Sequence, residues 1–111
     1  MDNGSDHGLQ DFLRDALGFP RLAPAKEERL LARVRQHQDQ KASRRVIESY
    51  LARVSEIALR LRPDWLSAPD AIQEAIVVLR RLIEDPNVRY PAPLLEDEIK
   101  RHFARFGRPT R

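Results

Sequence analysis

Apolar positions recur along this 111-residue chain at helical spacing, and the breaks between the runs carry proline, glycine or a short polar turn. The densest run is Ser67 to Pro86, where Ile72, Ile76, Leu79, Leu82 and Ile83 fall on one face at i, i+3/i+4, i+7 spacing. Ser67 and Asp70 have the S-x-x-D spacing of a capping box, in which hydroxyl and carboxylate reciprocally satisfy free N–H groups at a helix start. Pro69 fits within that first turn, and Pro86 stops the run. Asp70, Gln73 and Glu74, three and four residues apart, share one polar edge of the same helix, a surface at which a partner could be read.

Four other stretches predict helices. Leu9, Phe12, Leu13, Ala16 and Leu17 make a short amphipathic face ended by Gly18 and Pro20. Leu30, Leu31 and Val34, with Ala32, predict a second helix from Pro24 to about His37, entered from Ala23, a poor cap. Asp39 is placed to cap the longest helix, which runs to Arg62 and buries Val46, Ile47, Tyr50, Leu51, Val54, Ile57, Ala58 and Leu61. Trp65, in the connection that follows, reads as a lid on the core rather than a ligand platform. The last helix is expected from about Leu94 to Phe106, with Leu95, Ile99, Phe103 and Phe106 buried and Gly107 at its end. Glu96, Asp97 and Glu98 in its first turn, and Lys100, Arg101 and Arg105 towards its C-terminus, would follow the helix dipole. The expected fold is all-α: a compact bundle of about five helices forming one domain over residues 9–106, between a polar, disordered tail (1–8) and a basic tail (107–111).

Composition narrows the function. Without cysteine, disulfides and thiolate metal sites are excluded, and a reducing cytoplasm is the expected location. No window approaches ~18 uninterrupted apolar residues, and no basic segment followed by an apolar run opens the chain, so neither a membrane span nor a signal peptide is expected. His7, His37 and His102 are isolated and no Gly-rich phosphate loop is present, so the sequence offers no catalytic residue, no metal ligand set and no cofactor motif. Charge is segregated beneath a net +3: residues 1–20 carry −3, residues 21–62 carry +6, residues 63–99 carry −5 and residues 100–111 carry +5. Such a pattern fits a salt-bridged, solvated surface, and equally a protein that meets an anionic polymer on one side.

Taken in order, residues 11–85 resemble the front half of a bacterial sigma factor, the initiation subunit of RNA polymerase. The pieces are FPRLAPAKEERLLARVR (19–35), the opening Asp39-x-x-Ala42, RVIESYLARVSEIA (45–58), and DAIQEA (70–75), which stands where the family has DLIQEG. The resemblance implies the helical fold of sigma factor domain 2. It also implies docking of the Ser67–Pro86 helix on the clamp helices of the polymerase β′ subunit through Asp70, Gln73 and Glu74, with Ile72, Ile76 and Leu79 as the packing face. The chain departs from the family at Tyr50, where the family has Asn, and at Ala75-Ile76, where it has Gly-Asn. The family's aromatic segment that unstacks promoter DNA has no counterpart in YPAPLLEDEIKR (90–101), although base stacking on rings is worth ~1–3 kcal/mol per base. The sequence also ends before any domain that would read the upstream promoter element.

The reading that follows is a sigma-like transcription protein that docks on RNA polymerase core as a partial sigma, a co-sigma or a regulator of the sigma site. DNA and a second sigma-like polypeptide are candidate further partners, and no membrane is involved. The alternatives are a non-specific nucleic-acid-binding helical domain using Arg44, Arg45, Arg53, Arg60, Arg62, Lys100, Arg101 and Arg105, or a sigma-derived interaction or oligomerisation module in which Tyr50, Val77 and Val78 mark either a new apolar contact or core.

Overall fold

A computed structural model describes residues 4–106 of the chain, with side chains from residue 8 onward. Five helices carry it: α1 (Gly4–Gly18), α2 (Pro24–His37), α3 (Gln40–Leu61), α4 (Ala68–Glu84) and α5 (Ala92–Phe106). The all-α bundle expected from periodicity is therefore the fold. α3 and α4 make the most extensive contact, and α1, α2 and α5 pack around them. The central pair supplies most of the core, with Val46, Val54, Ile57 and Ala58 of α3 and Ala71, Ala75, Val78, Leu79 and Ile83 of α4 all but inaccessible to solvent.

The helix starts follow their caps. Asp39 accepts a 3.1 Å bond from the Ala42 N–H, Ser67 Oγ accepts a 3.2 Å bond from the Asp70 N–H, and α2 begins at Pro24 after Ala23 with no side-chain cap. The capping box at α4 is formed only in its hydroxyl half; the Asp70 carboxylate is exposed and returns no bond to Ser67 among the described residues. At the other end of α4, Arg35 reaches across from α2, its Nε donating to the Ile83 carbonyl at 2.9 Å and its Nη2 to the Leu82 carbonyl at 3.2 Å. These are carbonyls of the last turn, where the regular helical bonds run out; the Leu82 carbonyl also accepts from the Asp85 N–H at 3.4 Å.

Several local expectations are corrected. α1 reaches back to Gly4, so residues 4–8 are helical rather than a tail. α5 starts at Ala92, two residues before the expected Leu94, because Pro93 is tolerated in a first turn whose N–H groups are unpaired anyway. That places Glu96, Asp97 and Glu98 beyond the first turn, where Glu96 pairs with Arg60 and Glu98 with Arg101 while Asp97 is exposed. Phe106 is 40% exposed and Leu17 76% exposed, so neither belongs to the buried face. Gly107 and the basic tail lie outside the described residues.

One residue is held in a costly conformation. Gln38 ends α2 in the left-handed region at φ 50°, with its N–H donating to the Val34 carbonyl at 2.9 Å. A Cβ is disfavoured there, and glycine is the usual occupant of such a helix end. Gln38→Gly is therefore expected to raise stability by ~0.5–1 kcal/mol, the steric relief exceeding glycine's greater unfolded-chain entropy. Urea denaturation should show a higher midpoint at an unchanged slope.

Candidate functional site

The first turns of α4 present their polar edge outward because the opposite face is buried. Asp70 and Gln73 are exposed; Glu74, on the same edge, is only partly so. Its Oε1 lies 2.7 Å from His102 Nε2 on α5, and His102 Nδ1 lies 3.1 Å from Arg81 Nη2, about two turns further along α4. A guanidinium only donates, so Nδ1 of the imidazole must accept and Nε2–H must donate to Glu74; the tautomer is assigned by these partners. The imidazole is walled by Phe106, whose ring centroid is 5.9 Å away, and Phe106 stacks on Trp65 at 5.7 Å and 3°. Trp65 is half-buried and packs against the core. Asp70, Gln73 and Glu74 are brought together by one helix, but the third member is engaged by α5.

The apolar residues beside this edge divide. Val78 is core, whereas Val77 is 46% exposed between Gln73 and Arg81. Ile76 lines an open groove of about 460 Å³ between α1 and α4, with Leu9, Phe12, Pro69, Ile72 and Gln73. Ala75 is fully buried. Tyr50 is also core, and its hydroxyl donates to Glu27 Oε2 at 2.7 Å, tying α3 to α2. Burial, reinforced by that bond to a carboxylate, pushes the phenol well above the ordinary tyrosine range.

The eight basic candidates do not form one surface. Arg45 donates to the Pro20 carbonyl at 3.4 Å, and Arg62 to the Leu66 carbonyl at 2.6 Å. Arg101 pairs with Glu98 at 2.6 Å, and Arg60 with both Glu56 at 2.8 Å and Glu96 at 2.9 Å. Arg44, Arg53, Lys100 and Arg105 are exposed and take part in none of these pairs. Arg44 and Arg53 project to opposite sides of α3, since nine residues turn a helix through about 180° beyond whole turns. Arg53 and Lys100 instead join Arg60 around Glu96, giving a mixed cluster across α3 and α5. No group of three or more potential metal ligands occurs among the described residues, nor a helix long and apolar enough to cross a membrane.

With this geometry in place, comparison with known proteins bears out the family resemblance: the homologues of this chain are RNA polymerase sigma factors. The chain is 37% identical over 76 residues, 68% of its length, to the RNA polymerase sigma factor RpoH of Zymomonas mobilis, and 32% identical over 79 residues, 71% of its length, to RpoH of Caulobacter vibrioides. It spans about a quarter of each relative, 25% and 27% respectively. No family model matches the chain, and no solved structure matches it.

The Arg60–Glu96 pair has a pH signature. Its hydrogen bonds from Arg60 hold the Glu96 carboxyl below the usual glutamate range. A depressed folded pKa contributes stability above the unfolded value of ~4.3, and that contribution is lost as pH falls through the lower folded value. The stability gap between the wild type and Glu96→Gln is thus expected to close on acidification from about pH 7 to about pH 3. A gap of constant size in denaturation curves across that range would show that the pair adds no pH-dependent stability.

Proposed function

We propose that this chain is a sigma-like transcription protein that docks on RNA polymerase core through the exposed start of α4, with the clamp helices of the β′ subunit as the surface met. The observation that carries the reading is the position of Asp70 and Gln73. They are exposed on the best-buried helix of a chain whose homologues are sigma factors, at the place where the resemblance puts polymerase contacts. A carboxylate and an amide held on a rigid helix suit charge-assisted and neutral hydrogen bonds to a basic helical partner. Exposed Val77 adds an apolar contact between them and Arg81.

The role on the polymerase is that of a partial sigma, a co-sigma or a regulator of the sigma site. Promoter melting is not assigned to residues 91–101, where Leu94, Leu95, Asp97 and Glu98 offer no aromatic platform. The double variant Asp70→Ala, Gln73→Ala is expected to bind core polymerase at least about tenfold more weakly than the wild type, two polar contacts being lost. Unchanged affinity in a pull-down titration would sink the docking reading. Transcription with and without a complete sigma factor then separates a helper, which raises product, from a competitor, which lowers it.

DNA contact is a second reading, supported by the exposed cations Arg44, Arg53, Lys100 and Arg105. Because they are scattered, binding should be weak and independent of sequence. Its affinity should fall with salt at a log–log slope of roughly −0.9 per phosphate neutralised, giving a slope no steeper than about −4 if only these four cations contribute. Absence of binding to duplex DNA at low ionic strength would remove this reading and leave the first intact.

A further inference from the structure

The Glu74–His102–Arg81 chain is not explained by the fold alone. Glu74 sits on the edge of α4 assigned to docking, yet it is the one member of that edge tied to another helix. His102 Nε2–H donates to Oε1, while Oε2 has no bond among the described residues and Glu74 keeps 30% of its side-chain surface exposed. The carboxylate is therefore half used: one oxygen is anchored and the other is available. Arg81 on Nδ1 fixes which imidazole nitrogen carries the proton, and the Phe106 ring restricts where the imidazole can turn. The sequence gives no hint of this, since His102 is an isolated histidine 28 positions from Glu74.

We propose that His102 is a positioning residue for polymerase docking: from α5 it holds the Glu74 carboxylate in a single orientation, with Oε2 presented beside Asp70 and Gln73 to a cationic side chain of the partner. This rests on the docking reading of α4. A free glutamate loses the freedom of its rotatable bonds when it is captured, whereas one already bonded has lost most of it beforehand. The bond to a neutral imidazole leaves the carboxylate its negative charge, which a salt bridge to an arginine or lysine would largely cancel. Glu74 is thereby oriented without being neutralised.

The test measures the affinity of the full chain for RNA polymerase core. His102→Ala and His102→Phe, the second of which keeps an aromatic ring in place, are both expected to weaken binding about five- to tenfold, the range for a charge-assisted bond whose geometry is lost. In a Glu74→Ala background the same changes should produce no further loss, because nothing remains to be positioned. His102→Gln, whose amide N–H can replace Nε2–H, should restore most of the affinity. In the unbound wild type, imidazole ¹⁵N shifts should show the Nε2–H tautomer.

Equal effects of His102→Phe with and without Glu74, or an unaltered affinity in His102→Phe, would overturn the proposal. So would an Nδ1–H tautomer. If the wild type binds and the Asp70, Gln73 double variant does not, such results dismiss the role of His102 alone. If the wild type itself fails to bind core polymerase, the docking reading falls and the positioning role with it.

Discussion

The packing of α4 against α3 is the constraint from which the rest of the surface follows. Ala71, Ala75, Leu79 and Ile83 are completely buried at i, i+4, i+8 and i+12, and Ile72, Val78 and Leu82 widen the same stripe. Each large side chain buried there is worth ~1.5–3 kcal/mol, so rotating α4 by even one residue would expose several and is prohibitive. A helix whose buried face is fixed has its exposed face fixed as well. Asp70, Gln73, Val77 and Arg80 are displayed because of what lies behind them. The ends are pinned independently, by Ser67 Oγ at the first turn and by Arg35 on the Leu82 and Ile83 carbonyls at the last, which leaves α4 little freedom to slide.

What could be read from sequence was what is local. The starts of α2, α3 and α4 were legible because Pro24, Asp39 and Ser67 act on backbone groups within a turn of themselves. The start of α5 lies two residues before the expected Leu94 because Pro93, at the second helical position, costs no hydrogen bond. Phe106 continues the apolar spacing of α5 but meets Trp65 at the rim rather than the core, and no periodicity distinguishes those two fates. The same division runs through the site. Asp70 and Gln73 follow from helical geometry, but the pairing of Glu74 with His102 is set by how α5 crosses α4. Charge counting likewise located the basic residues without their partners: Arg45 and Arg62 are spent on backbone carbonyls, and Arg60 and Arg101 on glutamates.

The departures from the sigma pattern become intelligible as packing. Tyr50 adds a ring to the core and a bond to Glu27, so α2 is held to α3 by a contact that spans 23 residues. Ala75 places a methyl group in the fully buried interior of the bundle. Ile76 leaves an apolar side chain in the gap between α1 and α4. Ala75 and Ile76 thus lie on the inner side of α4, and Tyr50 ties α3 to α2, while Asp70 and Gln73 stay exposed.

Electrostatics weighs the two proposed partners against each other. Along α3 and α5 the cations are interleaved with acids, Arg60 lying between Glu56 and Glu96 with Arg53 and Lys100 alongside, so much of the positive field is cancelled before a phosphate arrives. The start of α4 is different. Asp70 is in no ion pair among the described residues, and Glu74 is bonded to an imidazole whose second nitrogen faces an arginine, an arrangement that fits the neutral ring. Asp70 and Glu74 thus lie on one edge of α4 with no arginine or lysine paired to either among the described residues, next to an exposed valine. A polyanion would be repelled there, whereas a basic helix with an apolar side chain to offer would find both halves of its complement. On the docking reading proposed above, the unpaired carboxylate at the start of α4 suits a basic protein surface better than a phosphate backbone, while Arg80 and Arg81 further along the helix carry the opposite charge.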